Sequence, residues 1–245
     1  YGAFNILDGH IPDQRRILYS KEAGTQHPYR LLISNTLSQQ SGSRIYQSLS
    51  DYIYTAGGDL SYKFKWLEQN QTLKGGYMLQ VKDRLYDAKL FANYLPLDND
   101  ALRLLPADQI FLPENFGDGT ANKFAFDAIK GNTFRYLANT ILNAGFLQLD
   151  NEFTKNLRVV WGLRVENYDQ LVGSVKQSDP RHTRTQVTDF LPGMNATYKI
   201  NQNTNLRLSG SQTVIRPELR ELSFLNLYDF ELNASVQGNP FLQRT

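Results

Sequence analysis

Asp150 and Glu152 stand two residues apart in "QLDNEF", so that a strand would place both carboxylates on one face, as a glycoside hydrolase places its acid and its base. Asp98 and Asp100 in "LDNDAL", with Asp118 in "GDGT", faintly suggest a calcium loop. They lack the full ligand series and the closing Glu at the expected spacing. His10, His27 and His182 are scattered with no paired spacing, and cysteine is absent, which excludes disulfides and thiolate metal sites. No Ser-His-Asp order, P-loop or glycine-rich dinucleotide turn occurs. The residues therefore point to no catalytic group, no metal and no cofactor, and the expectation is a protein that is not an enzyme.

The elements that carry Asp150 and Glu152 suggest a simpler role for them. In "DYIYTAGGDLSYKFKW", Tyr52, Tyr54, Ala56, Gly58, Leu60, Tyr62, Phe64 and Trp66 alternate with Asp51, Ile53, Thr55, Gly57, Asp59, Ser61, Lys63 and Lys65. A period of two is a β-strand, and at about 3.3 Å per residue this one runs to about 50 Å, far longer than a strand in an ordinary soluble core. After a short polar turn, "LEQNQT", the pattern resumes with Leu73, Gly75, Tyr77, Leu79 and Val81 opposed to Lys74, Gly76, Met78, Gln80, Lys82 and Arg84. A second hairpin turns at "TKN", with Gly145, Leu147, Leu149 and Phe153, then Leu157, Val159, Trp161, Leu163 and Val165, on the apolar face. A third turns at "NQNT" between "DFLPGMNATYKI" and "NLRLSGSQT". Between the hairpins lie long polar connections, from about Phe91 to Asn132 and over "DQLVGSVKQSDPRHTRTQ". Upstream, "YGAFNIL" through "RRILYS" reads as one further strand.

Short and very long connections in strict alternation are the asymmetry of a transmembrane β-barrel. The apolar face of 51–66 is ordered as two aromatic ends around a small apolar middle, which assigns Tyr52, Tyr54, Tyr62, Phe64 and Trp66, with Trp161, to lipid-facing girdles. The opposite face carries both signs of charge, which a wet lumen accommodates. Arg84, Asp150, Glu152, Arg158, Arg164 and Glu166 are expected there, facing a plug or pairing across neighbouring strands. The fold class expected is all-β, an antiparallel up-and-down transmembrane barrel segment of about seven to eight strands with long outer loops. No stretch reaches the ~18 apolar residues of a transmembrane helix, which excludes only a helical membrane protein. A net charge of +2 with no basic run gives no argument for nucleic acid.

The run "NLRLSGSQTVIRPELRELSFLNLYDFELNASVQGNPFLQRT" resembles a signature stretch of TonB-dependent outer-membrane receptors, through Ser211, Gln212, Thr213, Arg216, Pro217, Glu221, Leu222, Tyr228, Asp229, Gly238, Asn239, Pro240 and Leu242. "WGLRVENY" and "LPADQIFLPENF" look like further pieces of the same family. The resemblance implies a localisation in the cell outer membrane, contact with its lipid, and active uptake of a bulky nutrient such as a metal chelate, cobalamin or an oligosaccharide. It also implies two partners in the complete protein, its own plug domain and the TonB energy-coupling complex. Residues 1–245 correspond to an internal part of the barrel domain, with the plug and the remaining strands outside them. Ligand contacts are expected in the outer loops, at Tyr94, Phe111, Phe116, Tyr228 and Phe230, against the plainer expectation that these residues pack on one another. Arg216 with Pro217 is expected to be a fixed strand exit. Two other readings fit the alternation: a soluble secreted β-domain binding glycan or protein through its loops, and a passive porin-like channel.

Overall fold

The computed structural model describes residues 11–21, 29–66, 68–118, 122–174, 181–229 and 231–245. Its strands are β1 (Gln14–Arg16), β2 (Leu18–Lys21), β3 (Tyr29–Leu32), β4 (Ser43–Trp66), β5 (Gln69–Tyr94), β6 (Ala125–Ile129), β7 (Arg135–Glu152), β8 (Leu157–Gly173), β9 (His182–Asn201), β10 (Thr204–Ser211), β11 (Asn226–Asp229) and β12 (Ala234–Gln237). Two one-turn helices, α1 (Asp100–Arg103) and α2 (Leu219–Leu222), lie in the long connections. The main sheet is open and wholly antiparallel, in the order β1-β4-β5-β7-β8-β9-β10, with β6 added to the upper end of β5. Seven strands on that path agree with the count expected from the period-two segments. The first is only three residues long, and the upstream part of the expected strand, residues 1–10, lies outside the described residues.

The hairpins are longer than the sequence pattern shows. Trp66 pairs with Gln69, so only two positions separate β4 from β5, Glu68 standing at φ 60°, and "NQT" belongs to β5. The reason is visible at the base of the sheet. The Gln71 amide nitrogen donates to the Glu152 carbonyl (3.0 Å), Asn151 donates to Gln71 (2.7 Å), and the Trp161 indole donates to Asn151 (2.8 Å). Polar side chains that look like a turn are satisfied on the apolar face and buried beside Trp161. At the other end β8 and β9 continue to Gly173 and His182, so most of "DQLVGSVKQSDPRHTRTQ" is an extended hairpin. The connection after β5 is likewise partly built, with α1, β6 and a hydrophobic nucleus of Leu31, Ile33, Leu95, Leu102, Ile110 and Phe124.

Register fixes the faces across five strands. Leu60, Gly75, Leu147, Leu163 and Pro192 align in one row, and Tyr62, Leu73, Leu149, Trp161 and Met194 in the next. This face is bare: Leu60 is 84% exposed, and Tyr54, Tyr62, Trp66, Trp161, Phe190, Leu206 and Leu208 are exposed with it. A contiguous apolar surface of this extent needs an apolar partner.

The upper limit of the apolar band descends across the sheet, through Tyr52, Val81, Ile141, Val165 and Phe190, beyond which Asp83, Asn139, Asn167 and Thr188 follow on the same face. Phe190 aligns through Val165, Gly145 and Tyr77 with Gly58, six residues below Tyr52, after four strand-to-strand steps. At about 3.3 Å per residue and about 4.8 Å between strands, the slant is roughly 45°. Strands of membrane barrels tilt by about 35–45°, so a flat bilayer edge crosses them at such an angle.

The packed core lies on the opposite face. Ile45, Tyr86, Ala88, Leu90, Tyr136, Ala138 and Val172 of the sheet meet Leu219, Leu222 and Leu225 of the segment after β10. That segment folds back over the upper half of the charged face.

Candidate functional site

The charged face is built in tiers. Near the short turns Arg158 holds Asp150 with two parallel hydrogen bonds, one of 2.8 Å, and Glu152 lies beside them in a groove with Lys63 and Lys65. Lys74 pairs with Asp59 at 2.9 Å and lies 5.9 Å from the Phe146 ring. Higher up, Asp51 takes Arg84 at 2.5 Å and Lys82 at 3.4 Å. These pairs join adjacent strands of one wall.

One tier is different. Glu166 on β8 and Asp189 on β9 are directly opposed in register on the inner face. Like charges in that position are destabilising unless cations are brought to them. Arg164 supplies one from two residues away, bonding Glu166 at 2.7 Å. Arg216 supplies a second, reaching Glu166 at 2.8 Å and Asp189 at 2.9 Å while its guanidinium lies 4.5 Å from the centre of the Tyr168 ring. Arg244 adds a third on Asp189. Both carboxylates are buried, Glu166 to 7% and Asp189 to 5% exposure, so these bonds form where water screens little.

Two of the three arginines belong to the folded-back segment, and the residues carrying the family resemblance are those that build it. Gln212 donates its backbone N–H to the Pro192 carbonyl (3.0 Å), continuing the sheet, and Arg216 then turns the chain against the wall. Glu221 accepts from the Glu218 backbone N–H (2.9 Å), closing a capping box on α2, and Leu222 enters the core. Asp229 accepts from the backbone of Glu231 (2.9 Å) and Leu232 (3.0 Å). Gly238 sits against the end of α2, where a Cβ would lie 2.3 Å from the Ser223 carbonyl oxygen and 2.7 Å from that of Glu221. Only glycine allows this approach, and it lets Asn239 donate its N–H to the Glu221 carbonyl (2.6 Å). Ile215 and Thr245 exchange backbone hydrogen bonds of 2.8 and 3.1 Å, bringing Arg216 and Arg244 to the same carboxylate.

Between this segment and the wall lies a cavity of about 540 Å³, bordered by Tyr168, Gln170, Thr185, Arg216, Leu222 and Arg244 among others.

Arg164 and Glu166, two of the expected lumen residues, meet in the buried tier; Asp150 and Arg158 form their own pair; Arg84 is partnered by Asp51. Of the loop residues expected to touch ligand, Phe111 and Phe116 come together and Tyr94 and Tyr228 lie in other contacts. Phe111 and Phe116 pack on Phe124, with ring centroids 5.4 and 5.8 Å from it. Tyr94 closes β5 opposite Ala125. Tyr228 lies under the Arg16 guanidinium at 4.4 Å and bonds Asn233 through its hydroxyl. Phe230 lies outside the described residues. Among the residues expected in the girdles, Tyr52, Tyr54, Tyr62, Trp66 and Trp161 are exposed on the apolar face, and Phe64 stacks on Tyr62 at 6.0 Å. Asp189, Arg244 and Gln170 escaped the sequence reading. Aligning "VENY" with "TDFL" as a hairpin already sets Glu166 opposite Asp189, and that unbalanced pair was the available signal for a cation arriving from elsewhere.

Residues 114–245 match the model of an outer membrane protein beta-barrel family, which covers more than half of the chain. No curated protein matches it.

Proposed function

The chain belongs to the outer membrane protein β-barrel family, and on that premise we propose that it forms part of the barrel wall of a TonB-dependent receptor that takes up a bulky nutrient. A metal chelate, cobalamin or an oligosaccharide is the substrate class in view. Its place is the outer membrane, with the bare aromatic face in lipid, the short turns in the periplasm and the long connections outside. The observation that carries the reading is the segment 212–245, whose signature residues fold as one unit onto the inner wall through Arg216 and Arg244. A lumen furnished this way is narrowed on the outer side, as suits a gated receptor. The role involves no bond-making chemistry: the wall binds, positions and lets pass. The plug and the energy-coupling complex are the partners proposed for the complete protein.

A passive channel is the second reading, because an inward-folded segment also serves as the constriction of a diffusive pore. Uptake by cells carrying the complete protein separates the two. Loss of uptake when the inner-membrane proton gradient is collapsed supports the receptor. Uptake that persists and rises linearly with substrate concentration supports the channel and removes the receptor.

A further inference from the structure

The cavity between the folded-back segment and the wall is furnished for a ligand that accepts hydrogen bonds. Gln170 on β8 borders it and is only 3% exposed, yet its amide nitrogen has no hydrogen-bond partner. Arg216 borders it as well, with its Nε buried and unpartnered. A buried donor without an acceptor costs free energy, and native structures hold few of them, so two around one cavity require an explanation. The charged side chains on its border, Arg216 and Arg244, are both cationic. Counting Arg164, three guanidiniums bond the two carboxylates Glu166 and Asp189. Val187, Pro217, Leu222 and Leu242 supply an apolar side to the same space. Its volume of about 540 Å³ lies in the ordinary range for small-molecule sites, about 300–1,000 Å³.

We propose that this cavity is a binding site for a small organic carboxylate with an apolar body, its oxygens accepting from Gln170, Arg216 and Arg244 and its body lying on Leu222 and Leu242. The guanidiniums that would hold the ligand are those that clamp the folded-back segment to Glu166 and Asp189. A bound carboxylate therefore competes with the wall for them, and occupancy loosens the segment. The inference deepens the uptake reading by naming a ligand class for the same lumen. It does not depend on energy coupling, because binding to purified protein needs no proton gradient.

The test uses the complete protein in detergent and follows 4-(trifluoromethyl)benzoate by fluorine NMR, with 4-(trifluoromethyl)benzamide as the neutral counterpart. Saturable binding of the benzoate, at least tenfold tighter than that of the amide and weakened at least tenfold by Gln170→Leu, is the expected result. Gln170→Leu removes an unsatisfied buried donor, so its melting temperature should equal or exceed that of the parent. A Gln170→Leu variant that melts lower than the parent would show that the amide has a structural partner and would overturn the proposal. So would equal binding of benzoate and benzamide, or no saturable binding of either. None of these failures touches the proton-gradient test of uptake, which stands or falls separately.

Discussion

Two ion-paired groups lie on the same inner face, on the same pair of hairpins, and differ in nearly everything that matters energetically. Asp150 and Arg158 are paired bidentately near the short turns, but their side chains are 22% and 58% exposed. The Glu166 and Asp189 side chains are 9% and 5% exposed, and two of their cations come from far along the chain, Arg216 from 50 and 27 positions away and Arg244 from 55 positions beyond Asp189. The first pair is a solvated wall, for which about 0–1 kcal/mol is the usual net contribution. The second is a docking device: removing one partner strands buried charge, which costs about 3–5 kcal/mol. Identical residue types therefore do different work according to whether a distant segment covers them.

The contrast can be broken at several points. Asp189→Ala should have the largest effect, freeing Arg244, leaving Arg216 held by Glu166 alone, and weakening the docking of 212–245 by about 3–5 kcal/mol. Limited proteolysis should then cut within 212–245 while the spanning hairpins stay protected, and an unchanged cleavage pattern would refute the docking role. Leu222→Ala attacks the same interface from its apolar side, where Leu222 is 2% exposed. A loss of about 2–5 kcal/mol is expected, read as a lower midpoint in the same proteolysis assay against denaturant. Gly238→Ala forces a methyl onto three carbonyl oxygens and should cost about 1–3 kcal/mol, with hydrogen exchange rising at Asn239. Arg158→Gln marks the other side of the comparison. It should change the melting temperature by no more than about 1 kcal/mol is worth, and a large loss would mean that the short-turn tier is also covered.

The smallest effect concerns pH at the outer loop. Arg103 donates to Asp98 (2.7 Å) and to the carbonyls of Leu31 and Ile33, and this hydrogen bond holds the Asp98 carboxyl below its ordinary range. A depressed carboxylate contributes stability above its unfolded pKa, about 3.9, and loses it as pH falls through the folded value. Asp98→Asn should therefore make proteolysis of the 95–124 loop less dependent on pH below about 4. A variant whose pH dependence matches the parent's would assign that response elsewhere.

Much of this architecture was legible in the residues. The period of two placed Tyr62 and Trp161 on one face and Arg164 and Glu166 on the other, because a one-residue slip would exchange every side chain of a strand. The alternation of short and long connections was equally plain. What stayed hidden depends on contacts distant in sequence. Gln71 reads as a turn residue until Asn151 and Trp161 are beside it, and Arg216 reads as a strand exit until Glu166 and Asp189 are seen to need it. The loop nucleus around Phe124 was illegible for a related reason, since apolar residues at irregular spacing announce burial without saying against what.

The central claim is that adjacent residues of one strand face lipid and lumen in turn. Residues 1–245 contain no cysteine, so single spin labels can be placed at Leu163→Cys and Arg164→Cys in the complete protein, with any cysteine elsewhere replaced by serine, reconstituted in bilayers. Collision with oxygen, which concentrates in lipid, and with a water-soluble nickel chelate then reports each site. The label at 163 should meet oxygen and little nickel, and the label at 164 should meet nickel and little oxygen. Equal accessibility at both positions, or the reverse order, would contradict the claim.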